Sequence, residues 1–246
     1  MEETLKLLVN EIYGDVEQGE GKSARRKGKF LRTAICPLHC VWCDTAYTWR
    51  FNDKFPHRDN IVYNFVDEVH PMTPWEVLQR IHQTGSPDVK SLFVSGGDPM
   101  IPNQQMALVP ILETLKREGW WVEVENEALF APLPAIVELV DQFNCSPKLE
   151  NSGNSVYARR KPEALLALQK TGKANWKFVA SSSEDFIEID ELVESFGLTD
   201  IYIMPEGVTR EALIENTEKI EKLVIGRGWN LSPRLHIMEH GNKRGT

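Results

Sequence analysis

The chain carries three cysteines within eight residues, Cys36, Cys40 and Cys43, in the spacing C-x3-C-x2-C. This spacing indicates a metal-binding loop, because thiolates are soft ligands that suit zinc or iron–sulfur clusters. A closed zinc site takes four protein ligands, and a [4Fe–4S] cluster normally takes four thiolates. The fourth cysteine, Cys145, lies far downstream and is expected to be a buried apolar side chain. The loop therefore predicts a cluster with one iron open to a non-protein ligand, or a zinc site completed by His39 or a distant residue.

Short apolar runs alternate with segments of helical periodicity, which is typical of βα units in a parallel sheet. We predict strands at Phe30–Ile35, Ser91–Ser95, Trp120–Glu125, Leu149–Asn151, Trp176–Ala180, Asp200–Met204 and Arg234–Met238. We predict helices from the capping box at Thr73–Glu76 and over Asn103–Glu118, Leu133–Phe143, Pro162–Lys170, Glu184–Phe196 and Arg210–Ile225. Repeated units of this kind close, or partly close, into a barrel, which places the cysteines at a strand end where barrels carry their chemistry.

Composition excludes several classes of function. The net charge of −8 argues against binding a nucleic-acid backbone, which needs a basic surface. The first residues lack a signal-peptide pattern, and no apolar run approaches the roughly 20 residues that span a bilayer. Four cysteines in 246 residues do not make a disulfide scaffold. No nucleic acid and no membrane are expected as partners, and a reducing cytoplasm fits these features.

The stretch from about 44 to 72 is the least regular part of the chain, rich in Asn, Asp, Pro and aromatic residues. It is interpreted as a loop inserted beside the cysteines. Loops of this length in compact domains are often lids or binding segments. A decorative insertion remains equally open.

Two further motifs accompany the cysteines. The second predicted strand ends in the turn Ser95-Gly96-Gly97-Asp98-Pro99, whose glycines allow a close backbone approach to a ligand. Upstream of the cysteines, residues 11–21 read Glu-Ile-Tyr-Gly-Asp-Val-Glu-Gln-Gly-Glu-Gly, and the cysteine loop itself ends in Cys43-Asp44-Thr45.

These motifs together resemble a known family. The cysteine spacing with Trp42 before the last cysteine resembles the radical S-adenosylmethionine (SAM) signature, and the Gly-Gly-Asp-Pro turn resembles that superfamily's GGEP motif. The 7-carboxy-7-deazaguanine synthase family is similar to this chain at residues 11–21, at Arg32 and in the Cys-Asp-Thr run. The resemblance extends through most of the chain. One departure stands out: many relatives read Glu-Thr-Asn-Gly where this chain reads Glu-Asn-Glu-Ala at residues 125–128.

The resemblance implies a single radical SAM domain over residues 1–246, an α/β fold with a parallel sheet forming a partial (β/α)6-type barrel. It implies a carbon–nitrogen lyase that contracts 6-carboxy-5,6,7,8-tetrahydropterin to 7-carboxy-7-deazaguanine, a 7-deazapurine precursor as in queuosine biosynthesis, with loss of ammonia. The cofactors would be a [4Fe–4S] cluster, SAM and Mg²⁺. The partners would be the small pterin substrate, a reducing electron donor such as a flavodoxin-like protein, and a second copy in a homodimer.

The resemblance also implies the site residues. The ligands of the metals would be Cys36, Cys40 and Cys43 for the cluster and Thr45 for Mg²⁺. The contacts to SAM would come from Trp42, Cys43, Asp44, Gly96, Gly97, Ser146, Pro147, Lys148, Met204, Pro205, Glu206 and Gly207. The contacts to substrate would come from Glu17, Gln18, Gly19, Glu20, Arg32, Ser95, His236 and the terminal Thr246. Arg32 is expected to bind the substrate carboxylate, since a guanidinium matches a carboxylate as a fork.

Two other functions stay open at this point. An activase that makes a glycyl radical on a partner protein shares the cysteine spacing. A non-catalytic zinc-binding interaction module would also use closely spaced cysteines.

Overall fold

A nine-stranded sheet organises the fold. The computed structural model describes residues 5–245. Its strands are β1 (Leu7–Glu17), β2 (Lys27–Thr33), β3 (His70–Met72), β4 (Ser91–Gly96), β5 (Trp121–Asn126), β6 (Gln142–Cys145), β7 (Ala174–Ala180), β8 (Ile201–Pro205) and β9 (Asn230–Leu231). Its helices are α1 (Phe65–Glu68), α2 (Pro74–Gln83), α3 (Pro102–Arg117), α4 (Pro134–Leu139), α5 (Val156–Arg159), α6 (Pro162–Lys170), α7 (Asp185–Phe196), α8 (Arg210–Gly226) and α9 (Leu235–His240).

The strand order is β3-β1-β2-β4-β5-β6-β7-β8-β9, and every pair from β2 to β9 is parallel. At one edge β1 pairs antiparallel with both β2 and β3. Within residues 5–245 no ladder joins β9 to β3, so the sheet stays open. All parallel strands therefore end at the same edge, which is where ligand-binding loops of such sheets gather.

Helices cover the outer face of the sheet, and the core lies beneath them. Buried side chains from the strands, including Phe143, Trp176 and Phe178, join Ile111 of α3 and Ile189 of α7 in one large hydrophobic cluster. Along β5 and β7 these apolar residues alternate with polar ones such as Glu123 and Lys177, so the face of the sheet turned away from the helices is polar. Trp176 is the largest side chain of this cluster that is completely buried.

The helix predictions hold with small shifts at the ends, apart from one. Helix α2 begins at the predicted capping box, in which Thr73 accepts from the Glu76 amide and Glu76 accepts from the Thr73 amide. The predicted helix Leu133–Phe143 is wrong in its second half, since α4 ends at Leu139 and β6 begins at Gln142. Val140 is already extended, and Gln142–Cys145 pair with β5 and β7.

Two strand predictions are wrong. Residues Leu149–Asn151 do not form a strand, because Glu150–Ser152 form a 3-10 turn that ends at left-handed Gly153. Arg234–Met238 belongs largely to α9, so His236 lies on a helix rather than in an alternating strand. The antiparallel strand β1 was not predicted, because its sequence mixes polar and apolar residues and its pairing with β2 contains two register shifts.

None of the described helices is long and apolar enough to cross a membrane.

Candidate functional site

A cavity of about 390 Å³ opens at the carboxyl edge of the parallel strands. Its wall combines the segment after β1, the cysteine loop, the Gly-Gly turn, the ends of β5 to β8, and α9 with the residues that follow it. The predicted site residues that line it are Glu17, Gln18, Gly19, Glu20, Arg32, Cys36, Cys40, Trp42, Cys43, Asp44, Thr45, Ser95, Gly96, Gly97, Ser146, Lys148, Met204, Glu206 and His236. Motifs that are distant in sequence therefore meet in one space.

Three predicted positions among the described residues are not part of this lining. Pro147, Pro205 and Gly207 are absent from the wall, although the Gly207 carbonyl accepts a hydrogen bond from Arg234 at 2.5 Å. Thr246 lies outside the described residues. The residues just before it, from Asn242 to Gly245, do line the cavity.

The three thiols of the cysteine loop line the cavity and form no disulfide. Asn154 donates to Cys40 Sγ at 3.3 Å, and Cys43 Sγ lies 3.5 Å from Thr45 Oγ1. Burial raises the pKa of Cys40 to about 12 and raises the pKa of Cys36 and Cys43 as well. Clustered thiols that resist ionisation in a buried loop suit a site where a metal group supplies the positive charge. Cys145 is fully buried in the core, as predicted, and does not line the cavity.

The Gly-Gly turn packs directly on the start of the cysteine loop. Ile35, which precedes Cys36, has a φ of +71°, a strained value for a β-branched residue. Its backbone is fixed on both sides, because its amide donates to Thr48 O at 2.8 Å and its carbonyl accepts from the Asp98 amide at 2.9 Å. A Cβ added at Gly97 would lie 1.9 Å from the Ile35 carbonyl oxygen. Only glycine therefore allows this contact between the two motifs.

Gly97→Ala is expected to displace the start of the cysteine loop, since the contact with Ile35 O involves backbone on both sides. We expect the purified variant to retain clearly less iron than the unaltered chain and to unfold at a lower temperature. Gly226→Ala is the matched control, because a Cβ there meets nothing within 4 Å and the residue ends helix α8. Equal iron content and equal melting temperature in both variants would contradict the packing argument.

Residues 18–20 form the floor of the cavity and are tied to the strands. Gln18 Nε2 donates to Glu123 Oε1 at 2.9 Å and to Glu125 Oε1 at 3.1 Å, and Ser95 Oγ donates to Glu125 Oε2 at 2.8 Å. Burial raises the pKa of Glu123 to about 8, with the charge of Glu125 adding to the effect. Gly19 brings the chain against α9, because a Cβ there would lie 2.3 Å from His236 Nδ1.

Glu20 is a buried carboxylate held by two cations. Lys177 Nζ donates to Glu20 Oε2, and Arg234 Nε donates to Glu20 Oε1 at 3.0 Å. Burial alone would raise the pKa of Glu20, but attraction by Lys177 and Arg234 prevails and lowers it. Glu20 therefore stays ionised and offers only acceptor oxygens to a ligand.

Arg234 joins three segments of the site. Its guanidinium donates to Glu20, to Asp44 at the end of the cysteine loop and to the Gly207 carbonyl after β8. Burial opposes ionisation of Asp44, but attraction by Arg234 prevails and lowers the pKa of that carboxyl. Neither Arg234 nor Lys177 was assigned from the sequence. The signal was available for Arg234, which stands in the Ser-Pro-Arg-Leu-His run beside the predicted His236.

Arg32 lies on the cavity wall but is already bonded to protein. Its Nε donates to Glu11 Oε1 at 2.8 Å and its Nη2 donates to the Tyr13 hydroxyl at 3.0 Å. A substrate carboxylate can therefore bind only the N–H groups of Arg32 that make neither of these hydrogen bonds. The expected fork to a carboxylate cannot use Nε in this arrangement.

An acid pair lies beside the cysteine loop. Asp98, from the Gly-Gly turn, is completely buried, and its carboxyl interacts electrostatically with that of Glu127, which follows β5. Burial raises the pKa of Asp98 to about 6, and burial followed by the charge of Asp98 raises the pKa of Glu127 well above its ordinary value. Lys148 Nζ lies 3.9 Å from Glu127 Oε1.

The irregular stretch after the cysteines contributes to the cavity wall through Arg58, Asp59 and Tyr63. Arg58 donates to the Trp42 carbonyl and, at 2.6 Å, to Glu206 Oε1, which links this stretch to the end of β8. Two interpretations of residues 44–72 were open, a binding segment and an insertion without a role in binding. These contacts favour the binding segment.

Comparison with known proteins agrees with this geometry. A family profile described as a 4Fe-4S single cluster domain matches residues 18–125. The chain is 32% identical to the 7-carboxy-7-deazaguanine synthase of Pyrobaculum aerophilum over all of both chains. It is 28% identical to that of Rhodopirellula baltica, with 98% of this chain and 89% of the relative covered. It is 26% identical to that of Bacillus subtilis, with 97% and 98% covered.

Solved structures show the same fold. QueE from Escherichia coli matches with a TM-score of 0.67 at 23% identity, covering 94% of this chain and 95% of QueE. SuiB from Streptococcus suis bound to S-adenosylmethionine matches with a TM-score of 0.50 at 13% identity, covering 80% of this chain and 47% of SuiB. The predicted α/β fold with a mostly parallel sheet is confirmed.

Proposed function

Because this chain belongs to the 7-carboxy-7-deazaguanine synthase family, we propose that it is a radical SAM enzyme that contracts 6-carboxy-5,6,7,8-tetrahydropterin to 7-carboxy-7-deazaguanine with release of ammonia. The lyase reaction follows from that substrate and product. One observation carries the proposal: the cysteine loop and the Gln18–Glu20 segment share a single cavity. We also propose that residues 1–246 form one radical SAM domain with an inserted segment near 44–72, because one large core cluster runs from β1 to α8.

The cysteine loop fits a [4Fe–4S] cluster. Cys36, Cys40 and Cys43 offer three soft sulfurs to one space, and no other cysteine of residues 5–245 lines it. Three thiolates would leave one iron for SAM, and Lys148, Met204 and Glu206, which line the same cavity, would help to hold that cofactor. When bound, the cluster and SAM would supply a radical that takes a hydrogen atom from the substrate.

The chain's own residues bind and orient the pterin. Glu20 and Glu125 present acceptor oxygens, and the amide of Gln18 keeps Glu125 in position, so together they suit the N–H groups of a pterin edge. Positive charge from Lys177 and Arg234 lies beneath Glu20 and stabilises its ionised form. Arg32 supplies a cation for the substrate carboxylate through its remaining N–H groups.

Thr45 fits a role as a Mg²⁺ ligand. Its hydroxyl lines the cavity next to Asp44, and a hard oxygen donor suits Mg²⁺ when substrate and water complete the shell. Glu20, Asp44 and His236 also bring potential ligand atoms within 4.8 Å of one another. Arg234 already binds both carboxylates, so this group needs no metal ion for charge compensation.

Thr45→Ala is expected to keep SAM cleavage but to lower product formation by about tenfold or more. This is the usual size of the effect when a contact at a metal site is removed. The reason is that the hydroxyl would hold Mg²⁺ and substrate, not the cluster. The measurement is 5′-deoxyadenosine and 7-carboxy-7-deazaguanine by mass spectrometry across a Mg²⁺ titration. Thr45→Ser keeps the hydroxyl and serves as the control. Unchanged turnover and unchanged Mg²⁺ dependence in Thr45→Ala would exclude the role.

The remaining partners are proposals of the same kind. A low-potential carrier, such as a flavodoxin-like protein, would supply the electron, and a reducing cytoplasm would preserve the cluster. A homodimer is supported by four exposed apolar side chains that lie close together in sequence, Ile61, Val62, Phe65 and Val66. Exposed apolar groups of this kind mark protein–protein interfaces.

Anaerobic turnover of 6-carboxytetrahydropterin with the reconstituted protein tests the function directly. We expect 7-carboxy-7-deazaguanine and 5′-deoxyadenosine in the presence of SAM and dithionite. A glycyl-radical activase would cleave SAM without forming this product, and a zinc module would bind no iron or sulfide. Full-length similarity to named synthases favours the pterin enzyme over both alternatives.

A further inference from the structure

Two residues of the inserted segment, His57 and Arg58, hold three consecutive carbonyl groups of the cysteine loop. The Arg58 amide donates to Val41 O at 2.9 Å, and the Arg58 guanidinium donates to Trp42 O. Nε2 of His57 lies 2.7 Å from Cys43 O, and because a carbonyl can only accept, this nitrogen carries the proton and donates. All three carbonyls therefore point toward the inserted segment.

His57 is fixed in place and shielded from solvent. Its side chain is only 1% exposed, and its Nδ1 lies 2.7 Å from Asp59 Oδ1. Its ring packs edge-on against Trp49, with the ring centroids 5.9 Å apart. Buried Arg50 closes the segment by donating to two of its backbone carbonyls. A donor that is held this firmly sets the direction of the Cys43 carbonyl.

The direction of these carbonyls decides where the following amides point. In a planar trans peptide the C=O and the next N–H point in opposite directions, so the Asp44 amide points away from His57 and the Trp42 amide points away from Arg58. Neither amide has a hydrogen-bond acceptor within residues 5–245. Both residues line the cavity on either side of Cys43. Two unpaired amides at this place suit acceptors that a bound group brings with it.

We propose that His57 is a positioning residue for the cluster: it holds the Cys43 carbonyl so that the Asp44 amide donates to a sulfur of the bound [4Fe–4S] group. Hydrogen bonds to the sulfurs help to set the reduction potential of such a cluster. One electron from the reductant adds one negative charge to it, and the positive end of an N–H dipole favours that reduced form. Loss of the donor at position 57 should therefore make reduction harder. The inference rests on the proposed function only for the presence of the cluster.

A redox titration of the reconstituted holoprotein, without SAM or substrate, tests the inference through the electron paramagnetic resonance signal of the reduced cluster. His57→Phe keeps an aromatic ring beside Trp49 but removes the donor. We expect the ratio of reduced to oxidised cluster at a fixed potential to fall about tenfold, the lower end of the usual effect of changing a ligand's neighbour. For one electron this corresponds to a shift of about 59 mV toward more negative potential. His57→Gln places an amide N–H near the position of Nε2 and should restore the potential of the unaltered chain.

His82→Phe is the matched control, because His82 is exposed on α2, where it binds Glu118, and its loss should leave the potential unchanged. Iron, sulfide and melting temperature are measured on each variant. An unchanged potential in His57→Phe overturns the inference, and so does an equal shift in His57→Gln or in His82→Phe.

Where His57→Phe retains too little cluster to titrate, His57→Gln decides. A preserved cluster with a preserved potential in His57→Gln supports the role of the donor, and loss of either overturns it. An unaltered protein that holds zinc in place of iron and sulfide overturns the proposed function as well. A normal cluster whose potential does not respond to His57→Phe overturns this inference alone.

Discussion

Replacing Cys40 by alanine is expected to leave the protein unable to hold an iron–sulfur cluster and to stop both SAM cleavage and turnover. Cys40 is the most buried of the three loop cysteines, and its sulfur already accepts a hydrogen bond from Asn154. Loss of a direct ligand should exceed the roughly 10- to 100-fold effect of changing a ligand's neighbour. The measurements are iron and sulfide content, absorbance near 400 nm, and 5′-deoxyadenosine formed under dithionite.

Cys145→Ala is the matched control for this prediction. Cys145 lies in the core, accepts a hydrogen bond from Asn126 and does not line the cavity. We expect this variant to lose some stability but to keep its iron. A Cys40→Ala protein with full iron content, or a Cys145→Ala protein without iron, would show that the cluster is held elsewhere.

Arg234→Met should cause the largest loss of stability among single changes at the site. The side chain is only 6% exposed, and its removal leaves Asp44 without its cation and Glu20 with Lys177 alone. Removing one partner of a buried ion pair costs on the order of 3–5 kcal/mol, because the remaining charge stays buried. We also expect substrate affinity to fall, since Glu20 and the end of the cysteine loop lose their common anchor. The measurements are the free energy of unfolding from urea titration and the substrate KM.

Arg227→Met provides the comparison on the surface. Arg227 binds Asp190 through both Nε and Nη2, but its side chain is 30% exposed. Exposed pairs of this kind contribute about 0–1 kcal/mol. Arg234→Lys should fall between the two, because an ammonium keeps the charge but cannot reach three acceptors as a planar fork. Equal losses in Arg234→Met and Arg227→Met would disprove the bridging role.

Much of the site could be predicted because its motifs are short, local and chemically distinctive. The cysteine spacing, the Gly-Gly turn and the Gln-Gly-Glu-Gly run each carry information in a few adjacent residues. Arg234 and Lys177 were missed, because their role depends on which acids the fold brings against them. Glu20 is separated from Lys177 by 157 positions and from Arg234 by 214. No periodicity within one segment reports such a pairing.

The wrong strand and helix predictions have a related cause. Residues 133–143 are apolar enough for either a helix or a buried strand. Residues 142–145 form a strand because they pair with β5 on one side and with β7 on the other. At Leu235–His240 the apolar residues fit both periods, and contact with the backbone of Gly19 fixes the helix start through the Leu235 amide. Tertiary contacts therefore overrode local pattern in both places.

The bonds that Arg234 and Arg244 make to the first strand region have a consequence for biosynthesis. Glu20 and Glu11 emerge from the ribosome early, whereas the guanidinium groups that pair with them follow more than 200 residues later. The pairs that Glu20 and Glu11 make with these two guanidinium groups can therefore form only after more than 200 further residues have been made, and contacts of such long sequence separation form slowly. The part of the cavity wall that Arg234 ties to Glu20 should accordingly be completed late in folding.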